Sequence, residues 1–205
     1  MRFLAISRPP SVGEVHKTMA TITARTIPDG FRIYSFDYPI RCIAGNTFRP
    51  GLISCDGLNV IVMGSDKGNR DAIYIFNTRT GSLNNKIPLK HSTVKDILSM
   101  VPMPHKPNLV ALIDPDKGSI LDIRSKRIVR TIPKWGGSCT KDGKYGLYAP
   151  SRGGLELLEL KKGHLVKTFI PKVAEGVFTV ICMFNKTDEY VLYYHSGKKT
   201  LRVFR

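Results

Sequence analysis

Hydrophobic residues in this chain occur in short runs rich in β-branched and aromatic side chains, separated by glycine, proline, aspartate and asparagine. Helical spacing of apolar residues is scarce, so the pattern predicts β-strands joined by tight turns. The most legible unit has turn signals at Asp56–Gly57 and Thr80–Gly81. Its four strands are predicted at 52–55, 59–64, 73–76 and 83–89. Four antiparallel strands in about forty residues is the layout of one propeller blade.

The same unit is predicted to restart along the chain. Further strands are predicted at 3–7, 19–25, 31–36 and 40–44, at 97–101, 109–113, 119–123 and 127–132, at 137–140, 145–149, 155–160 and 165–170, and at 178–184, 190–194 and 201–204. Fourth strands repeatedly end in Ile-Pro, at 87–88, 132–133 and 170–171. Proline belongs at a strand end or an outer edge because it cannot donate to a sheet ladder.

This repeat predicts an all-β fold, a β-propeller of WD40-like four-stranded blades. A β-sandwich has similar short strands but does not account for a unit that restarts. We expect one propeller domain over 1–205, with blades at about 1–45, 51–90, 94–134, 135–172 and 177–205. The last blade has three predicted strands, and an unpaired edge is an aggregation liability. The chain is therefore expected to be a fragment of a larger propeller with further blades; a five-bladed ring is the competing architecture.

Composition limits the classes of function. The formal net charge is +16, from 32 basic and 16 acidic residues, which favours acidic partners, nucleic-acid backbone or anionic membrane surface. No apolar run approaches the roughly 20 residues of a membrane span, and the first residues lack a signal peptide, so a cytosolic location is expected. The basic residues are spread along the chain without an RNA-binding signature. Acidic protein is therefore the favoured partner and nucleic acid the alternative.

The residues that could carry chemistry show no catalytic, cofactor or metal-ligand arrangement. The cysteines lie far apart beside apolar runs and are predicted to be buried structural thiols: Cys42, Cys55, Cys139 and Cys182. The histidines form no triad or metal-ligand spacing: His16, His91, His105, His164 and His195. The aspartates fall mainly in turns, where they usually bond to nearby backbone. We therefore expect no enzyme activity and no cofactor.

Strand order assigns the basic residues to two rims of the predicted blades. Loops joining second to third strands, and fourth strands to the next blade, form one rim, which we call the connector rim. It is the candidate partner-binding surface and carries Lys67, Arg70, Lys90, His91, Lys117, Lys134, Arg152, Lys172, Lys198 and Lys199. The opposite rim, which we call the hairpin rim, carries Arg79, Arg124, Lys126, Arg127, Lys161 and Lys162.

Three segments, Gly153–Leu160, Val166–Lys172 and Tyr190–Arg205, resemble the C-terminal WD-repeat region of the NACHT and WD-repeat domain-containing proteins. The resemblance extends through most of the chain and is firmest after about Gly137. It implies a large intracellular protein with a NACHT nucleotide-binding domain and many WD repeats that act as sensor or scaffold. For one branch it implies a link to steroid-receptor regulation and chaperone complexes.

Two departures qualify what the resemblance implies. The chain has no phosphate-binding G-x-x-x-x-G-K-[ST] motif, and Gly197–Thr200 is predicted to be a hairpin turn. The Trp-Asp pair that often ends a third strand is replaced by Phe36–Asp37, Phe76–Asn77, Ile123–Arg124, Leu160–Lys161 and Phe204–Arg205, and the sole tryptophan is Trp135, between blades. The blades must therefore rely on apolar packing. The expected function is a non-catalytic protein–protein interaction scaffold or sensor module; binding of nucleic acid or another polyanion is the alternative.

Overall fold

A computed structural model describes residues 2–7, 20–26, 32–38, 51–65, 71–89, 97, 99–114, 116–149, 154–171 and 180–205. Within these ranges the secondary structure consists of β-strands and turns, without a helix. The chain divides into two compact units, Met1–Asp96 and Ile97–Arg205. The first unit contains two of the antiparallel sheets and the second contains three.

The first unit begins with a three-stranded sheet of order β1-β2-β3, followed by a four-stranded sheet of order β4-β5-β6-β7. The strands are β1 (Arg2–Ser7), β2 (Ala20–Thr26), β3 (Arg32–Tyr38), β4 (Gly51–Ile53), β5 (Asn59–Ser65), β6 (Asp71–Asn77) and β7 (Leu83–Pro88). Every neighbouring pair is antiparallel. Each sheet is therefore a simple meander, as predicted for a blade.

The second unit continues the pattern with sheets of order β8-β9-β10-β11, β12-β13-β14 and β15-β16-β17. The strands are β8 (Ser99–Pro102), β9 (Leu109–Ile113), β10 (Lys117–Asp122), β11 (Arg127–Pro133), β12 (Tyr145–Tyr148), β13 (Leu155–Glu159), β14 (His164–Ile170), β15 (Val180–Phe184), β16 (Val191–His195) and β17 (Thr200–Phe204). Observed and predicted strand ends differ by two residues or fewer at nearly every strand. The predicted strand 40–44 lies outside the described residues, and the blade boundaries stay a prediction.

One predicted strand, Gly137–Thr140, is reduced to a single β-bridge between Cys139 and Gly146. The reason is the backbone of Gly137, whose φ of 93° departs from the extended conformation a ladder needs. One hydrogen bond to β12 remains on each side of this bridge. Leu147 N–H donates to Ser138 O at 3.0 Å, and Thr140 N–H donates to Tyr145 O at 2.9 Å. The segment therefore still borders the sheet.

The predicted turn Pro115–Gly118 is also too long, because Lys117 and Gly118 already belong to β10. The third strands of two blades also end one residue earlier than predicted, at Asp122 and Glu159. Three equivalent turn residues with positive φ show the correct alignment: Gly81 (70°), Lys126 (60°) and Gly163 (72°). Each lies four residues after the strand end, at Asn77, Asp122 and Glu159.

The Trp-Asp position is therefore occupied by Leu121–Asp122 and Leu158–Glu159, not by Ile123–Arg124 and Leu160–Lys161 as predicted. Leu121 and Leu158 are both 2% exposed. The Asp122 carboxylate accepts hydrogen bonds from the N–H groups of Arg124 (2.8 Å) and Ser125 (3.3 Å). A buried apolar residue followed by a turn-holding acid is thus retained in the third blade.

The largest buried side chain, Trp135, lies between the β8–β11 sheet and the β12–β14 sheet. Its indole is 1% exposed, and Nε1–H donates to Ser138 O at 3.1 Å. Two glycines make room for the ring: a Cβ at Gly146 would lie 2.6 Å from Trp135 Nε1, and one at Gly118 would collide with Trp135 Cε3. The surrounding apolar residues are Met103, Ala111, Ile113, Ile120, Ile132, Leu158 and Leu160.

A second core joins the β12–β14 sheet to the β15–β17 sheet. Leu147, Leu155, Val191 and Tyr193 are buried in it. At its margin the rings of Phe169 and Phe204 are tilted, with centroids 5.4 Å apart. In residues 97–205 the stacking of sheets is thus apolar, which confirms the prediction that these blades rely on packing.

Candidate partner-binding surfaces

The connector rim is described at four of its ten predicted residues. Lys117, Lys134, Lys198 and Lys199 are exposed at the ends of β10, β11 and the β16–β17 turn. The other six lie outside the described residues: Lys67, Arg70, Lys90, His91, Arg152 and Lys172. Their membership of the rim stays a prediction.

Carboxylates share the connector rim with the lysines in the third blade. Asp114 Oδ1 accepts from the N–H groups of Asp116 (2.9 Å) and Lys117 (2.8 Å), and Lys117 Nζ lies 3.9 Å from Asp114 Oδ2. Lys134 N–H donates to Asp116 O at 2.7 Å, so the two connections are adjacent in space. Lys117 and Lys134 thus lie on neighbouring connections, where Asp114 partly neutralises Lys117.

His195 fixes the backbone that carries the other two lysines. Its side chain is 6% exposed, and Nδ1 accepts a hydrogen bond from Lys198 N–H at 3.1 Å. Lys199 follows with a φ of 48°, and its N–H donates to Ser196 O at 3.2 Å. The prediction that His195 and Ser196 serve loop hydrogen bonding agrees with this geometry. Both ammonium groups extend from a defined turn.

The hairpin rim is more strongly basic than predicted. Its predicted cations are all exposed: Arg79, Arg124, Lys126, Arg127, Lys161 and Lys162. First-to-second-strand hairpins reach the same rim and add cations that sequence reasoning missed: Lys106, Lys141, Lys144 and Lys186, all exposed. Strand order could have found them, because connections in a meander alternate between two edges.

Two of the first-to-second-strand hairpins contain the same arrangement of side-chain hydrogen bonds. Thr140 Oγ1 donates to Asp142 Oδ1 (2.6 Å) and accepts from Tyr145 N–H (3.1 Å), while Lys144 N–H donates to Asp142 Oδ1 (2.9 Å). These bonds lower the pKa of the Asp142 carboxyl, the Thr140 hydroxyl being the largest cause. Ser54 and Asp56 repeat the arrangement, with Ser54 Oγ donating to Asp56 Oδ1 at 2.5 Å. Turn aspartates therefore serve the backbone, as predicted.

Possible metal ligands and thiols are the groups that bear on catalysis in the described residues. No group of three or more histidine, cysteine or acidic side chains among them could hold a metal ion. Burial raises the pKa of the Cys139 thiol to about 11 and that of Cys182 to about 12, so both stay protonated and weakly nucleophilic near neutral pH.

One cysteine prediction is wrong. Cys55 is exposed rather than buried, because β4 ends at Ile53 and Cys55 lies in the following hairpin. Cys139 and Cys182 are partly buried and pack against the two cores of residues 97–205. Cys42 lies outside the described residues.

The part of the chain that the structure describes contains no helix long and apolar enough to cross a membrane.

Comparison with solved structures supports the fold. Among 666 matching chains is the acylaminoacyl peptidase of Pyrococcus horikoshii (orthorhombic crystal form), with a TM-score of 0.62 and 13% sequence identity. The match covers 94% of this chain and 34% of that chain. At this identity the likeness concerns the fold alone. A search of curated proteins finds no match to this sequence.

Comparison with protein families is more specific. Residues 1–205 match the family described as "NWD2 C-terminal beta-propeller". The match confirms the β-propeller fold and the resemblance to the C-terminal WD-repeat region of NACHT and WD-repeat proteins. Since it spans every residue, the chain belongs to the NWD2 C-terminal beta-propeller family.

Proposed function

We propose that this chain is a non-catalytic protein-interaction module of a cytosolic NACHT and WD-repeat regulatory protein, and that its connector rim binds acidic protein surfaces. The family match over residues 1–205 carries the proposal, because β-propellers commonly act as rigid platforms for protein partners. The net charge of +16 gives the preferred sign of the partner.

The geometry of the described connector rim supports this role. Lys134 and Lys199 have positive φ values of 60° and 48° and belong to turns held by backbone hydrogen bonds. Lys198 is held through its N–H by the buried His195 side chain. Cations presented on fixed turns lose little backbone entropy when a partner binds.

The proposal is tested with a fluorescein-labelled oligoglutamate peptide and the full chain. We expect binding that weakens between about 0.05 and 0.15 M salt, since screening shortens the Debye length. The triple variant K134E/K198E/K199E should bind about tenfold more weakly, at roughly 0.2–1 kcal/mol per lost exposed pair. The arginine variant K134R/K198R/K199R is the matched control and should retain binding. An unchanged affinity and salt dependence in the glutamate variant would sink the proposal.

A further inference from the structure

The turns of the hairpin rim form a continuous surface along residues 97–205. Ile123 N–H donates to Asn108 O and Leu160 N–H donates to Lys144 O, both at 2.9 Å, so each third-to-fourth turn touches the first hairpin of its own blade. Lys141 N–H donates to Asp188 Oδ2 at 2.8 Å and joins the hairpins of the fourth and fifth blades. Gly143 lies beside the side chain of Met103 and so joins the fourth blade to the third.

This surface carries a dense set of outward-facing cations. Nine exposed lysines and arginines lie on its turns: Lys106, Arg124, Lys126, Arg127, Lys141, Lys144, Lys161, Lys162 and Lys186. Across the described part of the chain, a lysine–carboxylate ion pair is formed by Lys117 and Asp114, on the connector rim. None of the nine hairpin-rim cations forms such a pair there.

Four carboxylates of the hairpin rim accept hydrogen bonds from residues of the turns. Asp122 accepts from the N–H groups of its own turn, and Asp188 accepts from Lys141 N–H. Asp142 is held by Thr140 and Lys144, and Glu189 Oε2 accepts from the Thr187 hydroxyl at 2.7 Å. Their hydrogen-bonding capacity is thus partly used within the protein, while the lysine side chains extend to solvent.

The side chains around these cations fit acidic protein better than nucleic acid. Single-stranded nucleic acid binds with its bases stacked on exposed aromatic rings. On this surface the Tyr145 ring is covered by Lys144 Nζ, 5.0 Å from the ring centroid, which leaves Tyr190, 38% exposed, as a single ring without an exposed neighbour in its described hairpin for successive bases to stack on. Seven of the nine cations are lysines, which act as point charges rather than as bidentate readers of phosphate.

We propose that the hairpin rim of residues 97–205 is a second binding surface, and that its partner is an extended acidic protein segment. The inference goes beyond the proposed function because it uses a different set of turns. It predicts that the two rims bind independently, so that the module holds two acidic segments at once.

The experiment compares two triple variants of the full chain with the same change in net charge. K141E/K161E/K162E reverses the hairpin rim, and K134E/K198E/K199E reverses the connector rim. Each is titrated with the labelled oligoglutamate peptide, and the number of peptides bound is measured alongside affinity. Thermal unfolding checks that each variant is folded. The arginine variant K141R/K161R/K162R is the matched control and should keep both sites, and the single variants K141E and K162E replace the triple variant if it fails to fold.

The wild-type chain is expected to bind two peptides, and each glutamate variant is expected to bind one. At the rim whose charge is reversed, the affinity for the peptide should fall by about tenfold or more. Loss of binding in the connector-rim variant alone would overturn the hairpin-rim inference and leave the proposed function standing. If wild type binds one peptide and both variants lose a similar small amount of affinity, binding depends on net charge alone, and the hairpin-rim inference is overturned as well. Binding of oligouridylate but not oligoglutamate, abolished by K141E/K161E/K162E, would assign the surface to nucleic acid instead.

Discussion

The two cores of residues 97–205 solve the same packing problem differently. Between the third and fourth blades, Trp135 fills the space, and Gly118 and Gly146 leave room for its ring. Between the fourth and fifth blades, Leu147, Leu155, Val191 and Tyr193 share the burial, and Phe169 and Phe204 meet at the margin. A core that depends on one large side chain concentrates its stability at that position, whereas a distributed core tolerates change at any one of its members.

The sharpest contrast is expected from truncating one aromatic residue in each core. Trp135→Ala should lower the free energy of unfolding by about 3–5 kcal/mol, because a fully buried ring leaves a cavity. Phe169→Leu keeps most of the side-chain volume at a half-buried site but removes the aromatic pair with Phe204. It should therefore lower the free energy of unfolding by only about 0.5–1.5 kcal/mol. Denaturant unfolding followed by circular dichroism measures both. Equal losses would contradict the contrast between a concentrated and a distributed core.

The glycine that faces Trp135 offers a smaller perturbation of the same core. Gly118→Ala places a methyl group against the indole and 3.1 Å from Ile113 Cδ1, so we expect a loss of about 1–3 kcal/mol from overpacking. In a Trp135→Leu background the extra methyl should cost less, because the indole that it meets is gone. A double-mutant cycle measures this coupling. Additive effects in the cycle would show that Trp135 is not what makes Gly118 necessary.

Strand positions could be predicted from the sequence because runs of β-branched and aromatic residues between Gly, Pro and Asp carry that information locally. Alignment within the turns could not, because the buried apolar residues Ile123 and Leu160 extend the hydrophobic pattern past the strand ends at Asp122 and Glu159. The third strands of both blades are therefore predicted one residue too long. The exposed Cys55 was missed for a related reason, since β4 ends within an apolar run.

For the candidate surfaces, too, strand order could be predicted from the sequence and side-chain contacts could not. Strand order alone assigns Lys117 and Lys134 to one edge, and in the structure Lys134 N–H donates to the carbonyl of Asp116, the neighbour of Lys117. The neutralisation of Lys117 by Asp114 depends on side-chain directions within a short loop, which residue types do not specify. Nor does the sequence show that Trp135 lies against Gly118 and Gly146, because those contacts join separate strands.

The strand β12 belongs to both cores, and its hairpin provides the mildest test of their connection. Gly146 faces Trp135, while the adjacent Leu147 lies in the second core, since neighbouring strand residues point to opposite faces. Asp142 ties down the hairpin just before this strand through the Thr140 hydroxyl and Lys144 N–H. Loosening it should therefore weaken both cores slightly rather than one core strongly.

Asp142→Asn should lower the thermal midpoint at pH 7, and the difference from wild type should shrink in acid. The Asp142 pKa in the folded chain lies below its ordinary 3.8. The stabilising contribution of the charged carboxylate is therefore fully present above the ordinary value of 3.8 and is lost as the pH falls through the lower folded-state pKa. Asp116→Asn is the matched control, because Asp116 accepts the Lys134 hydrogen bond through its backbone carbonyl and keeps that bond as asparagine. Midpoints measured from pH 7 down to about pH 2 should thus converge for Asp142→Asn and wild type. A difference that stays constant across this range would mean that the shape of the hairpin, rather than the charge of Asp142, holds β12 between the two cores.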